Sequence, residues 1–307
     1  MQKDIKDLTM QQVLDSISKL DSIELPEYKS GEVISDFVDK CNRILNTCFQ
    51  DKNLIFLHTS YKPSFKVYRV RPFSEIKNFE LLNEFSHPPK KNTSIQRVNL
   101  PYNPVFYCSR HPYTALREYI KSNFKEQTKY CVSVWSFDKN IPKICLLPIF
   151  KKDMTDFILK EQVELIFQGK SDEFRLALTT YINYFGDKFL KQINNVEDYS
   201  FSAYLGHKFL YKKDYNNGDT VDILIYPCVS SLSEINFAIH PKIVSKHMIL
   251  EYVYVIEFLN ESIISENFDI YLFKNNKFDS QTLDISLKDS ENEYVKMFVS
   301  DFNIELN

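Results

Sequence analysis

Glycine is scarce in this chain. Only five of its 307 residues are glycine (Gly31, Gly169, Gly186, Gly206, Gly218), too dispersed to write a G-x-G-x-x-G turn or a Walker loop. Such loops use glycine to let backbone amides approach phosphates. A Rossmann or P-loop site is therefore not expected, and a nucleotide bound here must be held by side chains. The six cysteines (Cys41, Cys48, Cys108, Cys131, Cys145, Cys228) contain no C-x-x-C pair, which argues against a zinc site or a disulfide framework and for reduced thiols. The histidines form no H-x-x-x-H pair, so no metal is expected. A basic excess is also missing: 38 Lys and Arg face 41 Asp and Glu, for a net charge of −3, which argues against nucleic acid as a partner. No apolar run reaches membrane-spanning length, and Lys3, Asp4, Lys6, Asp7 and Asp15 break up the first twenty residues as no secretory leader tolerates. The expectation is a soluble, cytoplasmic protein without membrane contact.

With 44% hydrophobic residues the chain can bury a sizeable core. Met10, Val13, Leu14, Ile17 and Leu20 follow the cap candidate Thr9 at helical spacing, and Val33, Ile34, Phe37, Val38, Cys41, Ile44, Leu45 and Cys48 repeat the pattern. Two amphipathic helices should thus open the chain, with the polar stretch Gln50 to Asn53 after them and a soft boundary near residue 55. From Phe65 the pattern turns to short β-like runs at Lys66–Val70, Val105–Cys108, Tyr130–Phe137, Lys143–Ile149, Val221–Val229, Glu251–Phe258 and Phe268–Phe273. Helical patterns fall between them: one starting at Pro112, then Thr155–Phe167, Glu173–Tyr184 and Ser202–Lys212. This irregular mixture predicts an α+β fold. Its parts are an α-helical N-terminal segment (1–55), a main domain (56–260) and a C-terminal extension (261–307) with a charged, weakly patterned end.

Several residues are candidates for chemistry, each with a plainer alternative. Arg69, in the run Tyr68-Arg69-Val70-Arg71, offers a planar fork for a pyrophosphate or carboxylate; a solvated strand arginine is the commoner case. Arg97 and Asn99 precede Pro101 and the apolar strand that carries Tyr107. A strand, a turn at Ser109–Pro112 and a helix would bring Glu118 near Tyr107, although a lone helical glutamate more often faces water. Ser200 and Ser202 enter a helix carrying Gly206-His207 and suit N-caps, or a hydroxyl presented to an anionic ligand. Tyr226 ends a buried strand at Pro227-Cys228, with Asn236 shortly after, where turns are rich in Ser and Asn whether or not a ligand binds. Cys228 lacks the glycine context of a nucleophile elbow and reads as a buried thiol.

Taken in order, Tyr68-Arg69, Arg97-x-Asn99, Tyr107 with Glu118 in the next helix, Ser200 ahead of Gly206, Tyr226-Pro227 and Asn236 resemble the RES-domain family, named for an arginine, a glutamate and a serine. The resemblance spans about Phe65 to Phe258 and is most specific over R-V-N-L-P-Y-N-P-V-F-Y-C-S-R-H-P-Y-T-A-L-R-E, residues 97–118. It implies an ADP-ribosyltransferase-like mixed sheet core. The implied activity is that of a bacterial toxin that cleaves the nicotinamide–ribose bond of NAD by phosphorolysis or hydrolysis. A cognate antitoxin would silence it, and self-association is compatible with the family.

NAD would be the substrate and inorganic phosphate a co-substrate, with no resident cofactor. Carried over, the family's named residues fall on Arg69, Glu118 and Ser200, with Ser202 as the alternative serine. Arg97, Asn99, Tyr107, Ser202, Tyr226 and Asn236 would be ligand contacts. Bond cleavage develops an oxocarbenium-like ribose, which a carboxylate at Glu118 would stabilise while Arg69 and Arg97 hold anionic oxygens. Val98 stands where the family often has an aromatic residue, Leu100-Pro101 replaces a glycine-containing turn, and Cys228 replaces a serine. Two other classes compete: ADP-ribosyl transfer to a macromolecule, and a non-catalytic binding module.

Overall fold

The computed structural model describes residues 8–49, 58–123, 128–191, 195–212, 220–231, 233–257 and 265–304. The expected boundaries near 55 and 260, the stretch Gln50 to Asn53 and Gly218 lie outside the described residues. In chain order the elements begin with α1 (Met10–Asp21), α2 (Ile34–Phe49), β1 (Thr59–Tyr61), β2 (Val67–Pro72), β3 (Phe106–Ser109), α3 (Pro112–Asn123), β4 (Lys129–Phe137), β5 (Ile144–Pro148) and α4 (Phe157–Phe167). They continue with α5 (Asp172–Leu190), α6 (Ser200–Tyr211), β6 (Ile223–Pro227), β7 (Ile235–Ile239), α7 (Pro241–His247), β8 (Met248–Glu257), β9 (Asn267–Lys274), β10 (Lys277–Ser286) and α8 (Glu293–Phe302). The fold is α+β, as the pattern predicted. Among the described residues no helix is long and apolar enough to cross a membrane.

Two compact units form, each from three stretches of chain. The first comprises Met1–Tyr61, Pro88–Val105 and Ile144–His240, the second Lys62–His87, Phe106–Lys143 and Pro241–Asn307.

In the first unit, Thr9 caps α1 as expected. Its hydroxyl accepts from the Gln12 N–H (3.3 Å) while the Gln12 side chain accepts from the Thr9 N–H (3.2 Å). The helix buries Val13 and Leu20, and packs against α5 and α2. The strands run in the order β1-β5-β6-β7, with β5 and β6 parallel and the other pairs antiparallel. Every residue of β6 and β7 is buried, so these strands read as unbroken apolar runs and not as alternations. β7 follows a serine-rich connection, and its five residues gave no periodic signal against that background.

Helices α5 and α6 pack on β6. Both carry a glycine that admits a backbone carbonyl at very short range. A Cβ at Gly186 would lie 2.7 Å from the Phe150 oxygen, and a Cβ at Gly206 only 2.0 Å from that of Val98. No side chain other than hydrogen fits at Gly206 without displacing the segment that holds Val98.

The second unit is an antiparallel sheet in the order β3-β2-β4-β8-β9-β10. Register places Tyr68, Val134 and Tyr252 in one row and Val70, Val132 and Tyr254 in the next. This face joins Ala115, Leu116 and Ile120 of α3 and Val295, Phe298 and Phe302 of α8 in one core. The end of the chain, expected to be weakly patterned, instead supplies β10 and α8. Val295, Phe298 and Phe302 are a helical stripe that the surrounding charge obscured.

One carboxylate ties this core together. Asp301 of α8 accepts from the hydroxyls of Tyr68 (2.9 Å), Tyr252 (2.6 Å) and Tyr254 (2.9 Å) and pairs with Lys66 Nζ (3.1 Å). Burial, reinforced by the Asp301 charge, pushes the Tyr68 and Tyr252 phenols well above their usual range.

Gly206→Ala is expected to destabilise the protein by about 3 kcal/mol, at the upper end of the range for overpacking a rigid contact. Urea denaturation with an unchanged m-value would show it; a midpoint equal to wild type would mean that the contact yields.

Candidate functional site

The strand period of two separates neighbours on β2. Tyr68 and Val70 face the core shared with α3 and α8, so Arg69 and Arg71 face the other way. There Arg69 Nη1 donates to the Tyr107 carbonyl (3.0 Å), and its guanidinium lies over the Phe106 ring, 5.4 Å from the centroid. Its Nε is sealed from solvent with no hydrogen-bond partner. Arg69 is therefore not the solvated strand arginine that base frequency favours. Ser133 braces the strand by donating to the Arg69 carbonyl (3.1 Å) while accepting from the Trp135 indole (3.1 Å).

The two arginines on this face differ in their company. Arg71 pairs with Glu75 (3.4 Å) and Glu84 (3.6 Å). Arg69 has no carboxylate within ion-pair distance among the described residues. Burial, and then the Arg71 charge, push its pKa down to about 10, which leaves it protonated at neutral pH. A sheltered cation without an acid partner is costly, and an incoming oxyanion would relieve that cost. In the same unit Tyr107 stands on β3 and Glu118 on α3, both half-buried, in the strand, turn and helix order the sequence predicts.

The remaining candidates belong to the first unit. Arg97 sits in a tight turn closed by paired backbone bonds between Gln96 and Asn99 (3.0 and 3.2 Å). Its Nη1 donates to the carbonyls of Phe189 and Lys191, the latter at 3.3 Å, completing the C-terminus of α5 where a cation also suits the helix dipole. Its guanidinium lies 5.1 Å from the Tyr199 ring centroid. Arg97 thus repeats the arrangement of Arg69: one nitrogen tethered to backbone carbonyl, one aromatic face beneath, and no carboxylate in range among the described residues. Asn99 is buried and donates to the carbonyls of Ser94 (2.8 Å) and Leu100 (3.0 Å), ordering the loop. Tyr226 and Asn236 are cross-strand partners on β6 and β7, and the Tyr226 ring packs against Phe189 (5.9 Å).

The serines do not cap α6. A 3-10 turn, Val196–Tyr199, runs directly into the helix, so Tyr199 arrives with helical angles (φ −75°, ψ −15°) and makes no side-chain cap. Capping hydroxyls act from extended backbone, which this junction lacks. Ser200 Oγ instead accepts from the Tyr28 N–H (2.7 Å) and donates to the Glu197 carbonyl (2.6 Å), while Ser202 Oγ donates to the Tyr199 carbonyl (3.1 Å). The 172-residue separation of Tyr28 and Ser200 hid this bond from any sequence pattern. Arg97, Tyr199, Ser200 and Tyr226 are connected through these contacts within one unit, whereas Arg69, Tyr107 and Glu118 belong to the other.

Cys228 is a buried thiol beside the Ser230 hydroxyl (3.0 Å). His207 is buried against the Tyr211 ring (5.8 Å), and its Nδ1 has no hydrogen-bond partner.

No protein-family model matches the chain, and no curated protein does.

Two predictions follow from the side chains themselves. Arg69→Met, which removes the sheltered charge, is expected to unfold at an equal or higher temperature; a lower melting temperature would make Arg69 a structural residue. Burial, and then Lys212, push the His207 pKa down to about 4, so the folded state keeps this ring neutral. Its contribution is complete above the ordinary histidine pKa of about 6.5 and is lost as the pH falls from there towards 4. At most about 3 kcal/mol of stability should vanish over that window. His207→Phe should flatten the slope of urea stability against pH; an unchanged slope would assign the acid sensitivity elsewhere.

Proposed function

We propose that this chain is a NAD-cleaving enzyme of the RES type, with an ADP-ribosyltransferase-like core. The observation that carries the reading is Arg69: a protonated guanidinium preset by the Tyr107 carbonyl and the Phe106 ring, with a sealed Nε that has no hydrogen-bond partner and no carboxylate within ion-pair distance among the described residues. Forks of this kind grip phosphate oxygens in two-point fashion. Arg97, tethered through Nη1 among the described residues, offers a second fork of the same kind in the other unit.

In this reading Arg69 holds the pyrophosphate of NAD or an incoming phosphate. The resemblance assigns to Glu118 the stabilisation of the oxocarbenium-like ribose as the C–N bond breaks, with nicotinamide departing as a neutral group; Glu118 stands on α3, which packs on the face of β2 opposite to Arg69. The resemblance gives Tyr107, Asn99, Tyr226 and Asn236 as ligand contacts; Asn99, Tyr226 and Asn236 are buried, and Asn99 already gives its amide to Ser94 and Leu100. Of the two serines the reading assigns ligand contact to Ser202. Its one bond is local, to Tyr199, and easily exchanged, whereas turning Ser200 towards a ligand would strand the buried Tyr28 N–H. Such an activity is toxic to its own cell, so the reading includes a cytoplasmic location, compatible with the six free thiols, and a silencing antitoxin.

Purified protein incubated with NAD, with and without phosphate, should release nicotinamide, and Glu118→Gln should lower kcat by about 100-fold, the loss typical for one preorganised transition-state charge. Absence of release from wild type, or equal release from Glu118→Gln, defeats the proposal. Label from radioactive NAD appearing in a macromolecule would redirect it to ADP-ribosyl transfer.

A further inference from the structure

The segment Leu100-Pro101-Tyr102-Asn103 closes a β-turn through the Asn103 N–H to the Leu100 carbonyl (3.2 Å). Pro101 occupies its second position and Tyr102 its third, with φ at +62°. A proline followed by positive φ is the pattern of a type II turn, whose third position calls for glycine or asparagine. Among the described residues four non-glycine positions have positive φ: Asn275, Asn276, Asn303 and Tyr102. Three obey the asparagine preference. The fourth is a bulky aromatic with nothing local to favour the left-handed region.

That strain is not offset by burial of the ring, because Tyr102 is 55% exposed. The backbone is nonetheless fixed. The Tyr102 N–H donates to the Thr93 carbonyl (3.1 Å), and the Asn103 side chain donates to the Pro101 carbonyl (2.8 Å). A strained residue that projects an aromatic face into solvent from a rigid loop is the signature of a position kept for contact and not for folding. Arg97 and Asn99 stand on the same loop, which paired backbone bonds between Gln96 and Asn99 (3.0 and 3.2 Å) hold shut.

We propose that Tyr102 is a stacking platform for the adenine base of the ligand, a specificity-determining residue for adenine nucleotides. This rests on the NAD reading for the identity of the ligand. A face open to water suits the end of NAD remote from the reacting bond, since only the cleaved end requires shelter from solvent. Stacking on a neutral ring accounts for the choice of an aromatic residue, and the turn explains why the ring is held at a fixed angle.

The test compares wild type, Tyr102→Phe and Tyr102→Asn by calorimetric titration with AMP and ADP-ribose, by thermal melting and by NAD kinetics. Tyr102→Phe should bind within about twofold of wild type. Tyr102→Asn, which suits the left-handed backbone, should melt at an equal or higher temperature yet bind AMP about tenfold more weakly, the size of effect that losing one base-stacking aromatic produces. If NAD is cleaved, the loss should appear in KM more than in kcat. Equal AMP binding by Tyr102→Asn, a lower melting temperature for that variant, or no AMP binding by wild type overturns the platform. Nicotinamide release by wild type together with unchanged AMP binding by Tyr102→Asn defeats the platform alone. AMP binding that depends on Tyr102 without any nicotinamide release defeats NAD cleavage alone.

Discussion

A backbone carbonyl pressed onto a glycine, Val98 against Gly206, fixes the loop from which Arg97, Asn99 and Tyr102 project. Backbone-to-backbone contact at this range leaves little freedom to slide, since any lateral shift brings the carbonyl against the flanking side chains of α6. The loop has almost no regular structure, and its rigidity comes from polar groups satisfied within the same unit. Asn99 bridges Ser94 and Leu100, Asn103 reaches Pro101, and Arg97 reaches the end of α5. The rarity of glycine gives these placements meaning. One of five glycines is used at α6 for close approach, while the turn that most calls for glycine carries Tyr102.

The second unit shows how one short strand separates a carboxylate rich in donors from a guanidinium without an ion-pair partner among the described residues. Tyr68 and Arg69 are adjacent, yet the pleat sends one hydroxyl to Asp301 and the other side chain to the opposite face. Asp301 receives three phenols and an ammonium, a surplus of donors that pins α8 to β2 and β8. Arg69, one residue further along, has the reverse imbalance, with a donor in hand and no carboxylate within ion-pair distance among the described residues. The local economy of charge could have paired them, and the alternation of the strand prevents it. Such an imbalance destabilises the empty protein, and it persists in a fold only where surrounding contacts over-determine it, as the Ser133, Tyr107 and Phe106 contacts do here.

Much of this was legible in the sequence where periodicity was local. Thr9 with Gln12, the stripe Phe37, Val38, Cys41 and Leu45, the proline start of α3 and the apolar run of β6 each carry their signal within one or two turns. What escaped was non-local or masked by composition. β7 follows a serine-rich connection, α8 sits in a charged tail, and the Asp301 cluster gathers residues from 66 to 301. Capping, one of the two roles that Ser-x-Ser before an apolar run suggests for Ser200 and Ser202, fails because the preceding 3-10 turn has already brought the backbone to helical angles. The interleaving of the two units, each drawn from three stretches of chain, likewise has no sequence signal, because composition does not change where the chain passes from one to the other.

The candidate residues divide by the hydrogen-bonding capacity that the fold leaves them. A group whose bonds are complete must break one before it can hold a ligand, so whatever it gives to the transition state is offset by what it loses. Ser200, giving to Glu197 and taking from Tyr28, is of this kind, and its natural office is to seat the N-terminal segment on α6. Arg69 and Arg97 are of the other kind: each is aimed through Nη1, Arg69 onto one backbone carbonyl and Arg97 onto two, and lies over an aromatic ring, which restricts the side chain before a ligand arrives. Preorganisation of that sort lowers the entropy lost on binding and raises the worth of each new bond. In the proposed reading, tethered guanidinium forks stand in for the glycine-rich phosphate loop that this sequence lacks, and their tethers are the feature that separates them from ordinary surface arginines.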